Sequence, residues 1–257
     1  MSFQLTTMTE RPDLWSQAEA LIGANWPVFL QQDKVSYQYW SRLYIDFPDY
    51  QLFLLTADGN TLVAVGNCIP LAWDGAPEDL PDEGWRWTLA QGFQDAEAGR
   101  PTKNLFALSI TLNTEFLGLG VSTLVVQAMK DTGKKYDLTR IVAPIRPNLK
   151  NRYPLIPMQE YITWRNADGL PFDAWIRVHY RLGSRVVKVC PSSMRINGSV
   201  ADWENWLGLR LPQSGQYLAN GGLKPIEINV EKDSGVYIEP NVWMIGTCDG
   251  NAPYSFA

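Results

Sequence analysis

The sequence between residues 105 and 122 reads LFALSITLNTEFLGLGVS, which predicts a strand that passes through a glycine-bearing turn into a helix. Large apolar side chains alternate with smaller ones over 106–112, as on a strand. After Gly118 and Gly120, the apolar residues of 121–129 follow the 3.6-residue period of a helix. The first amides of such a helix lack intrahelical partners and lie at the positive end of its dipole. The turn therefore predicts an anion site suited to a phosphate or diphosphate, with a plain tight turn as the alternative.

The flanking sequence extends this unit into one α/β domain. A short apolar strand is predicted at 140–145, so residues 105–145 form a strand–helix–strand unit. The segment that begins at Pro70 and the proline-bearing stretch 147–171 are predicted to be irregular. The other predicted elements are a strand at 3–8, helices near 14–22 and 37–47, a hairpin of 50–56 with 61–65, helices at 87–98 and 172–182, a strand at 185–190, a short helix around 203–206, and a hairpin of 226–230 with 236–245. We therefore expect a single domain with a mixed sheet.

The composition excludes several function classes. The chain has 257 residues, of which 46% are apolar and 19% charged, and this is enough to build a core. Its 22 basic and 27 acidic residues give a net charge of −5, so nucleic acid is not an expected partner. The N-terminus lacks the basic and apolar segments of a signal peptide, and no apolar run approaches the ~20 residues of a membrane span. We expect no membrane association and a cytoplasmic location.

Metal chemistry is not expected either. The three cysteines, Cys68, Cys190 and Cys248, lie far apart, and His179 is the single histidine. A structural zinc site needs four such ligands, so this chain could build one only by using all of them or by adding carboxylates. We expect buried free thiols in a reducing compartment instead.

The glycine turn differs from two common phosphate loops. It lacks the third glycine of the dinucleotide fingerprint, because Thr123 stands three residues after Gly120, and it lacks the Gly-Lys-Ser/Thr of a P-loop. It resembles the coenzyme A loop of the GNAT N-acetyltransferase superfamily, Gln/Arg-x-x-Gly-x-Gly/Ala, since residues 115–120 keep both glycines. A second motif of that family, Tyr-x-x-x-Gly-Phe, resembles residues 179–184, HYRLGS. The order of the predicted elements also agrees over most of the chain.

This resemblance implies a GNAT-like α/β fold, in which a mixed, largely antiparallel sheet is flanked by helices. Residues 1–257 would form one acyl-CoA-binding domain with a C-terminal hairpin extension. The implied activity is an acyl-CoA-dependent N-acyltransferase, most simply one that transfers acetyl from acetyl-CoA to the amine of a small molecule. More narrowly, the chain resembles a bacterial GNAT-like branch. Family members often pair through sheet edges, so a homodimer is a further expectation.

The resemblance also assigns site residues. Backbone groups of the glycine turn would hold the diphosphate, and the preceding strand would pair with the pantetheine arm. The implied cofactor-binding residues are Ile110, Leu112, Gly118, Leu119, Gly120, Val121, Ser122 and Asn148. Glu115 stands where the family has Gln or Arg, and His179 replaces the tyrosine that protonates the leaving thiolate, a role that the neighbouring Tyr180 could take instead. The candidate catalytic residues are therefore His179, Tyr180 and Glu115, and the unranked candidates for the general base are Glu115, Asp95 and Glu97.

Several alternatives stay open at the level of the sequence. The residues at 115 and 179 are compatible with a non-catalytic acyl-CoA-binding or sensing protein, with acyl transfer to a hydroxyl, and with acyl transfer from a carrier protein. Three basic residues could meet coenzyme phosphates or simply be solvated: Arg146, Lys150 and Arg152. Five aromatic residues could line the acceptor pocket or pack in the core: Trp73, Trp85, Trp87, Phe93 and Trp164.

Overall fold

The architecture is built on one sheet in the computed structural model, which describes residues 2–249. Its strands are β1 (Phe3–Thr7), β2 (Gln51–Thr56), β3 (Leu62–Leu71), β4 (Asn104–Leu112), β5 (Arg140–Ile145), β6 (Arg185–Gly198), β7 (Gly215–Tyr217), β8 (Ile226–Asn229) and β9 (Ser234–Thr247). They pair in the order β1-β2-β3-β4-β5-β9-β8-β7, and β6 also pairs with β9. Within residues 2–249, β4 with β5 is the one parallel pair. The predicted mixed, largely antiparallel sheet is confirmed.

Helices cover both faces of this sheet. They are α1 (Trp15–Asn25), α2 (Lys34–Asp46), α3 (Gly84–Glu97), α4 (Val121–Lys135), α5 (Met158–Tyr161), α6 (Ala174–Arg181) and α7 (Val200–Leu207). Phe106 and Leu108 of β4 pack in the hydrophobic cluster that contains α1, α2 and α3, a side that we call the α1 face. Leu105 and Ala107 pack in the cluster that contains α4 and α6, the α4 face. This alternation follows from the two-residue period of a strand.

The parallel pair β4–β5 separates part-way along its length. The strands pair from Asn104–Arg140 to Phe106–Val142. Beyond that point β4 follows β3, and β5 follows β9 as far as the pair Ile145–Val242. The register of β4 on β3 also shifts by one residue at Leu108, which marks a β-bulge. We call the opening between the two diverging strands the β4–β5 gap.

Several elements differ from their predicted bounds for physical reasons. The sequence predicts Pro70 in a loop, but it lies inside β3. Proline has no N–H to donate to a neighbouring strand. Its place in β3 is possible because the pairing of β3 with β2 stops at the pair Asn67–Gln51, so that no described β2 residue lies beside Pro70. β6 runs to Gly198, and the short strand β7 was missed. β9 of the C-terminal hairpin pairs with β6 along one side and with β5 and β8 along the other, so it lies inside the sheet.

Features of the outer surface bear on partners. Among the described residues, β1, β6 and β7 each pair with one strand, so they are edge strands, which offer unpaired backbone groups. The homodimer stays a prediction. In the described part of the chain, no helix combines the length and the apolar composition that crossing a membrane requires.

Candidate functional site

A cavity of about 500 Å³ fills the β4–β5 gap. Residues of both faces of the sheet line it. From the α1 face come side chains such as Trp26, Leu30 and Trp85, and from the α4 face come Trp175 and others. The cavity therefore crosses the sheet where the two strands diverge.

The glycine turn forms the α4-face end of this cavity. Gly118 and Gly120 have φ angles of +81° and +73°, the left-handed region that glycine favours, and Gly120 directly precedes α4. No side chain from residues 2–249 caps α4, and no acidic residue of its first turn occupies the dipole end. Apart from the glycine itself and its two chain neighbours, no described atom lies within 4 Å of the Cβ position of either glycine, so space for a ligand is open there. Gly118 and Ser122 line the cavity, Leu119 is half exposed, and Val121 is buried.

The open edge of β4 leads from this turn into the gap. Asn113 donates its N–H to the carbonyl of Val63 on β3. Because the direction of the peptide groups alternates along a strand, Thr111 also faces β3, whereas Ile110 and Leu112 direct theirs toward the gap. Both residues line the cavity. Their backbone groups are therefore available to a ligand that lies alongside β4.

Asp173 fixes the start of α6 against the end of β5. It is 2% exposed, and it is the N-cap of α6. Its carboxylate accepts hydrogen bonds from the backbone amides of Asn148, Leu149, Trp175 and Ile176 and from the hydroxyl of Tyr161. Asn148 lines the cavity at this junction. Asp173 is the supporting residue that the sequence analysis missed, and its cap position before a helical run was the available signal.

His179 reaches the cavity from the α4 face. It is 3% exposed, its ring meets that of Trp175 edge-on with 4.5 Å between centroids, and its Nε2 has no hydrogen-bond partner within residues 2–249. Burial lowers its pKa to about 3, so the ring is neutral near pH 7. Tyr180, the next residue of α6, is partly buried.

On the α1 face, Arg146 and Asn241 add polar groups to a mainly apolar wall. Arg146 follows β5 and forms a bidentate ion pair with Glu239, at 2.8 and 3.0 Å. Trp85 closes another part of this wall and donates its Nε1 to the carbonyl of Leu108 at 2.9 Å, which satisfies a backbone acceptor at the bulge of β4.

Comparison with known proteins identifies the family. The chain is 30% identical over 274 residues to the arginine N-acetyltransferase avaD of Aspergillus versicolor, and the match covers 95% of this chain and 93% of that protein. This chain belongs to the GNAT N-acetyltransferase superfamily. No family model matches it.

Solved structures show the same GNAT fold. The loading GNATL domain of CurA from Lyngbya majuscula aligns with a TM-score of 0.59 and 16% identity, over 96% of this chain and 98% of that one. The GphF GNAT-like decarboxylase in complex with isobutyryl-CoA aligns with a TM-score of 0.53 and 13% identity, over 97% and 100% of the two chains. At these identities the likeness concerns the fold alone.

The carboxylates considered as general bases lie away from the cavity of this N-acetyltransferase. Glu115 lies on an exposed 3₁₀ turn, and Glu97 is an exposed partner of Arg42. Asp95 is buried, accepts the N–H of Ala72 and pairs with Arg100. Among residues 2–249, no Asp or Glu lines the cavity. A proton acceptor for the amine is therefore not supplied by a lining carboxylate.

Most of the remaining basic and aromatic candidates of this N-acetyltransferase also lie outside the cavity lining. Lys150 is 1% exposed and donates to the carbonyls of Tyr153 and Leu223, and burial lowers its pKa to about 8. Arg152 is exposed. Of the five predicted aromatic residues, Trp85 lines the cavity, whereas the others pack in the two hydrophobic clusters: Trp73, Trp87, Phe93 and Trp164.

Proposed function

We propose that this N-acetyltransferase transfers the acetyl group of acetyl-CoA directly to an amino group of a small molecule. The observation that carries the proposal is the cavity that crosses the sheet in the β4–β5 gap. A thioester could enter it from the α4 face and an amine from the α1 face. Because the two substrates would meet inside the protein, proximity could supply much of the rate without a covalent acyl-enzyme.

The α4 face would hold the coenzyme. The diphosphate would bind the backbone amides at the start of α4, those of Gly118, Leu119, Gly120, Val121 and Ser122. The peptide groups of Ile110 and Leu112 would pair with the pantetheine arm as an added strand does. Asn148 would contact the same arm where it passes the end of β5. When bound, coenzyme A supplies the activated thioester.

The chain would contribute positioning and hydrogen bonds to the reaction. A backbone N–H of β4 near Ile110 would donate to the thioester carbonyl oxygen and stabilise the charge that develops there. The apolar walls would favour a neutral, nucleophilic amine, and water would accept the proton that it loses. His179 or Tyr180 would donate a hydrogen bond to the departing thiolate. Since its pKa is about 3, His179 would do so as a neutral ring.

Arginine is the first acceptor to test, because the curated relative is an arginine N-acetyltransferase. A cytoplasmic location follows from the same proposal, since acetyl-CoA and reduced thiols occur together there.

The first test is calorimetric titration with acetyl-CoA of the wild type and of Gly120→Glu. The substitution places a carboxylate and a strained backbone at the amides that would hold the diphosphate, so affinity should fall at least tenfold. Gly99→Glu is the matched control, because Gly99 also has positive φ, is exposed and has open space around its Cβ position, but follows the C-terminal end of α3 and not the glycine turn. Equal affinity in all three proteins would contradict the assignment of the turn.

Turnover then separates an enzyme from a sensor. We expect mass spectrometry to detect acetylated product when the protein is incubated with acetyl-CoA and a panel of amines that includes L-arginine. Binding of acetyl-CoA without any acetylated amine would contradict the proposal and favour the non-catalytic alternative. An acetylated hydroxyl would favour acyl transfer to a hydroxyl, and a product formed only with an acyl carrier protein as the donor would favour acyl transfer from a carrier protein.

A further inference from the structure

Arg146 is held rigidly on the α1 face and still has donors to spare. Its Nε and Nη2 donate to the two carboxylate oxygens of Glu239, which is fully buried, and Nη2 also donates to the carbonyl of Gly221. Tyr237 donates its hydroxyl to Glu239 at 2.7 Å and accepts the N–H of Leu223 at 2.8 Å. No hydrogen bond joins Nη1 of Arg146 to another of residues 2–249, although the side chain is 29% exposed and lines the cavity.

Asn241 presents the complementary group beside Arg146. It precedes Val242, which pairs with Ile145, so it lies opposite the end of β5 where Arg146 follows. Asn241 is 2% exposed and lines the cavity. Its Nδ2 is 3.5 Å from the carbonyl of Pro144, whereas its buried Oδ1 has no hydrogen-bond partner within the described residues. An unsatisfied buried oxygen costs free energy, so a partner supplied by a ligand would bind favourably there.

Both side chains lie on the side of the sheet away from the glycine turn. Tyr237 and Trp243 of β9 pack in the cluster of the α1 face. Glu239 and Asn241 share their orientation because side chains alternate along a strand. Arg146 therefore contacts the acceptor side of the proposed reaction and not the coenzyme side. Paired with Glu239, it adds donors to the cavity without adding net charge.

We propose that Arg146 and Asn241 recognise the α-aminoacyl group of the acceptor, H–N–Cα–C=O. Nη1 of Arg146 donates to the carbonyl-type oxygen, and Oδ1 of Asn241 accepts from the adjacent N–H. The inference rests on the proposed function and narrows its acceptor from amines in general to amino acids and their amides. The oxygen can belong to a free carboxylate or to a neutral amide, since both accept the same hydrogen bond.

The test is calorimetric titration of three probes into protein saturated with coenzyme A. L-Arginine carries the carboxylate, L-argininamide carries a neutral carbonyl, and agmatine lacks both. We expect agmatine to bind at least tenfold more weakly than the better of the other two. Tighter binding of L-arginine assigns a carboxylate, and equal binding of the first two assigns a carbonyl. Equal affinity for all three, or no binding of any, overturns the inference.

Two variants connect this preference to the residues. Asn241→Leu should bind the better of L-arginine and L-argininamide less than threefold more tightly than agmatine. Its affinity for coenzyme A should be unchanged. Because Oδ1 has no partner to lose and Nδ2 loses only a 3.5 Å contact, the Tm of this variant should fall less than that of Asn67→Leu, since Asn67 is bonded to Tyr44, Gln51 and Ser109. The double variant Arg146→Met, Glu239→Gln should behave like Asn241→Leu without leaving a buried carboxylate unpaired.

The outcomes distinguish this inference from the proposed function. A preference that survives in both variants overturns the roles of Arg146 and Asn241. The titration needs no turnover, so a protein that shows the preference and acetylates no amine would contradict the proposed function and leave the recognition inference standing. Acetylation of agmatine as efficient as that of L-arginine would support the proposed function and overturn the recognition inference.

Discussion

A single buried histidine makes the stability of this N-acetyltransferase depend on pH. Burial lowers the pKa of His179 from 6.5 to about 3. The unfolded chain therefore binds a proton below pH 6.5, and the folded chain does not until about pH 3, so stability falls as the pH falls between these values. Between pH 7.5 and pH 5.0 we expect the wild type to lose about 2 kcal/mol more than His179→Phe, which has no ring proton to bind. Urea denaturation at the two pH values measures the difference, and equal losses would contradict the buried, neutral ring.

The same residue should affect turnover without affecting coenzyme affinity. If the neutral ring of His179 hydrogen-bonds the departing thiolate, His179→Phe should lower kcat by about tenfold to a hundredfold and leave the Kd for acetyl-CoA unchanged. Tyr180→Phe is the comparison, since it removes the rival hydroxyl. An unchanged kcat in His179→Phe combined with a low kcat in Tyr180→Phe would transfer the role to Tyr180.

The sequence could predict where His179 lies in the chain but not its environment. Its spacing before Gly183 predicts the last turn of a helix, and α6 does end at Arg181. Its ring contacts Trp175 one helical turn earlier, but it also lines a cavity with residues far away in sequence, such as Ile110 and Ile145, and no local pattern encodes that placement. The unsatisfied Oδ1 of Asn241 is hidden from the sequence for the same reason.

At the scale of elements, Asp173 should be far more important than an ordinary helix cap. Asp173→Ala removes the cap of α6 and leaves the buried hydroxyl of Tyr161 and the amide of Leu149 without their acceptor. We expect the free energy of unfolding to fall by about 2–4 kcal/mol. We also expect a lower kcat, because α6 carries His179. Ser199→Ala is the matched control, because it removes the N-cap of α7, which also has eight residues, and the hydrogen bonds that it breaks are exposed. We expect the free energy of unfolding to fall by about 1 kcal/mol and kcat to stay unchanged. Equal losses measured by urea denaturation would contradict the supporting role of Asp173.

Local patterns predict the elements that one short stretch specifies. The helix after Gly120 and the strand 140–145 were predicted because periodicity and turn glycines lie within a few residues of each other. β7 was missed, since three residues carry too little pattern to distinguish a strand from a loop. The continuation of β6 to Gly198 is set by its long pairing with β9, which a local pattern does not report.

At the scale of the molecule, the cavity arises from long-range pairing. β5 leaves β4 because it pairs with β9, which lies about a hundred residues later in the chain. The glycine turn predicts the anion site, but only the tertiary structure shows that this site opens into a passage with Arg146 and Asn241 on its other side.

A passage that crosses the sheet predicts sequential kinetics. Both substrates must be present together for direct transfer, so double-reciprocal plots against either substrate should give intersecting lines. A ping-pong route through a cysteine would need a thiol in the cavity, yet no cysteine among residues 2–249 lines it. The three thiols are buried, and burial raises the pKa of Cys190 and of Cys248 to about 12, which keeps them protonated at neutral pH. The intact mass of the protein should therefore stay unchanged after incubation with acetyl-CoA alone. Parallel lines together with a gain of one acetyl group would show a covalent intermediate and contradict direct transfer, because the amine would then react with the protein and not with the thioester.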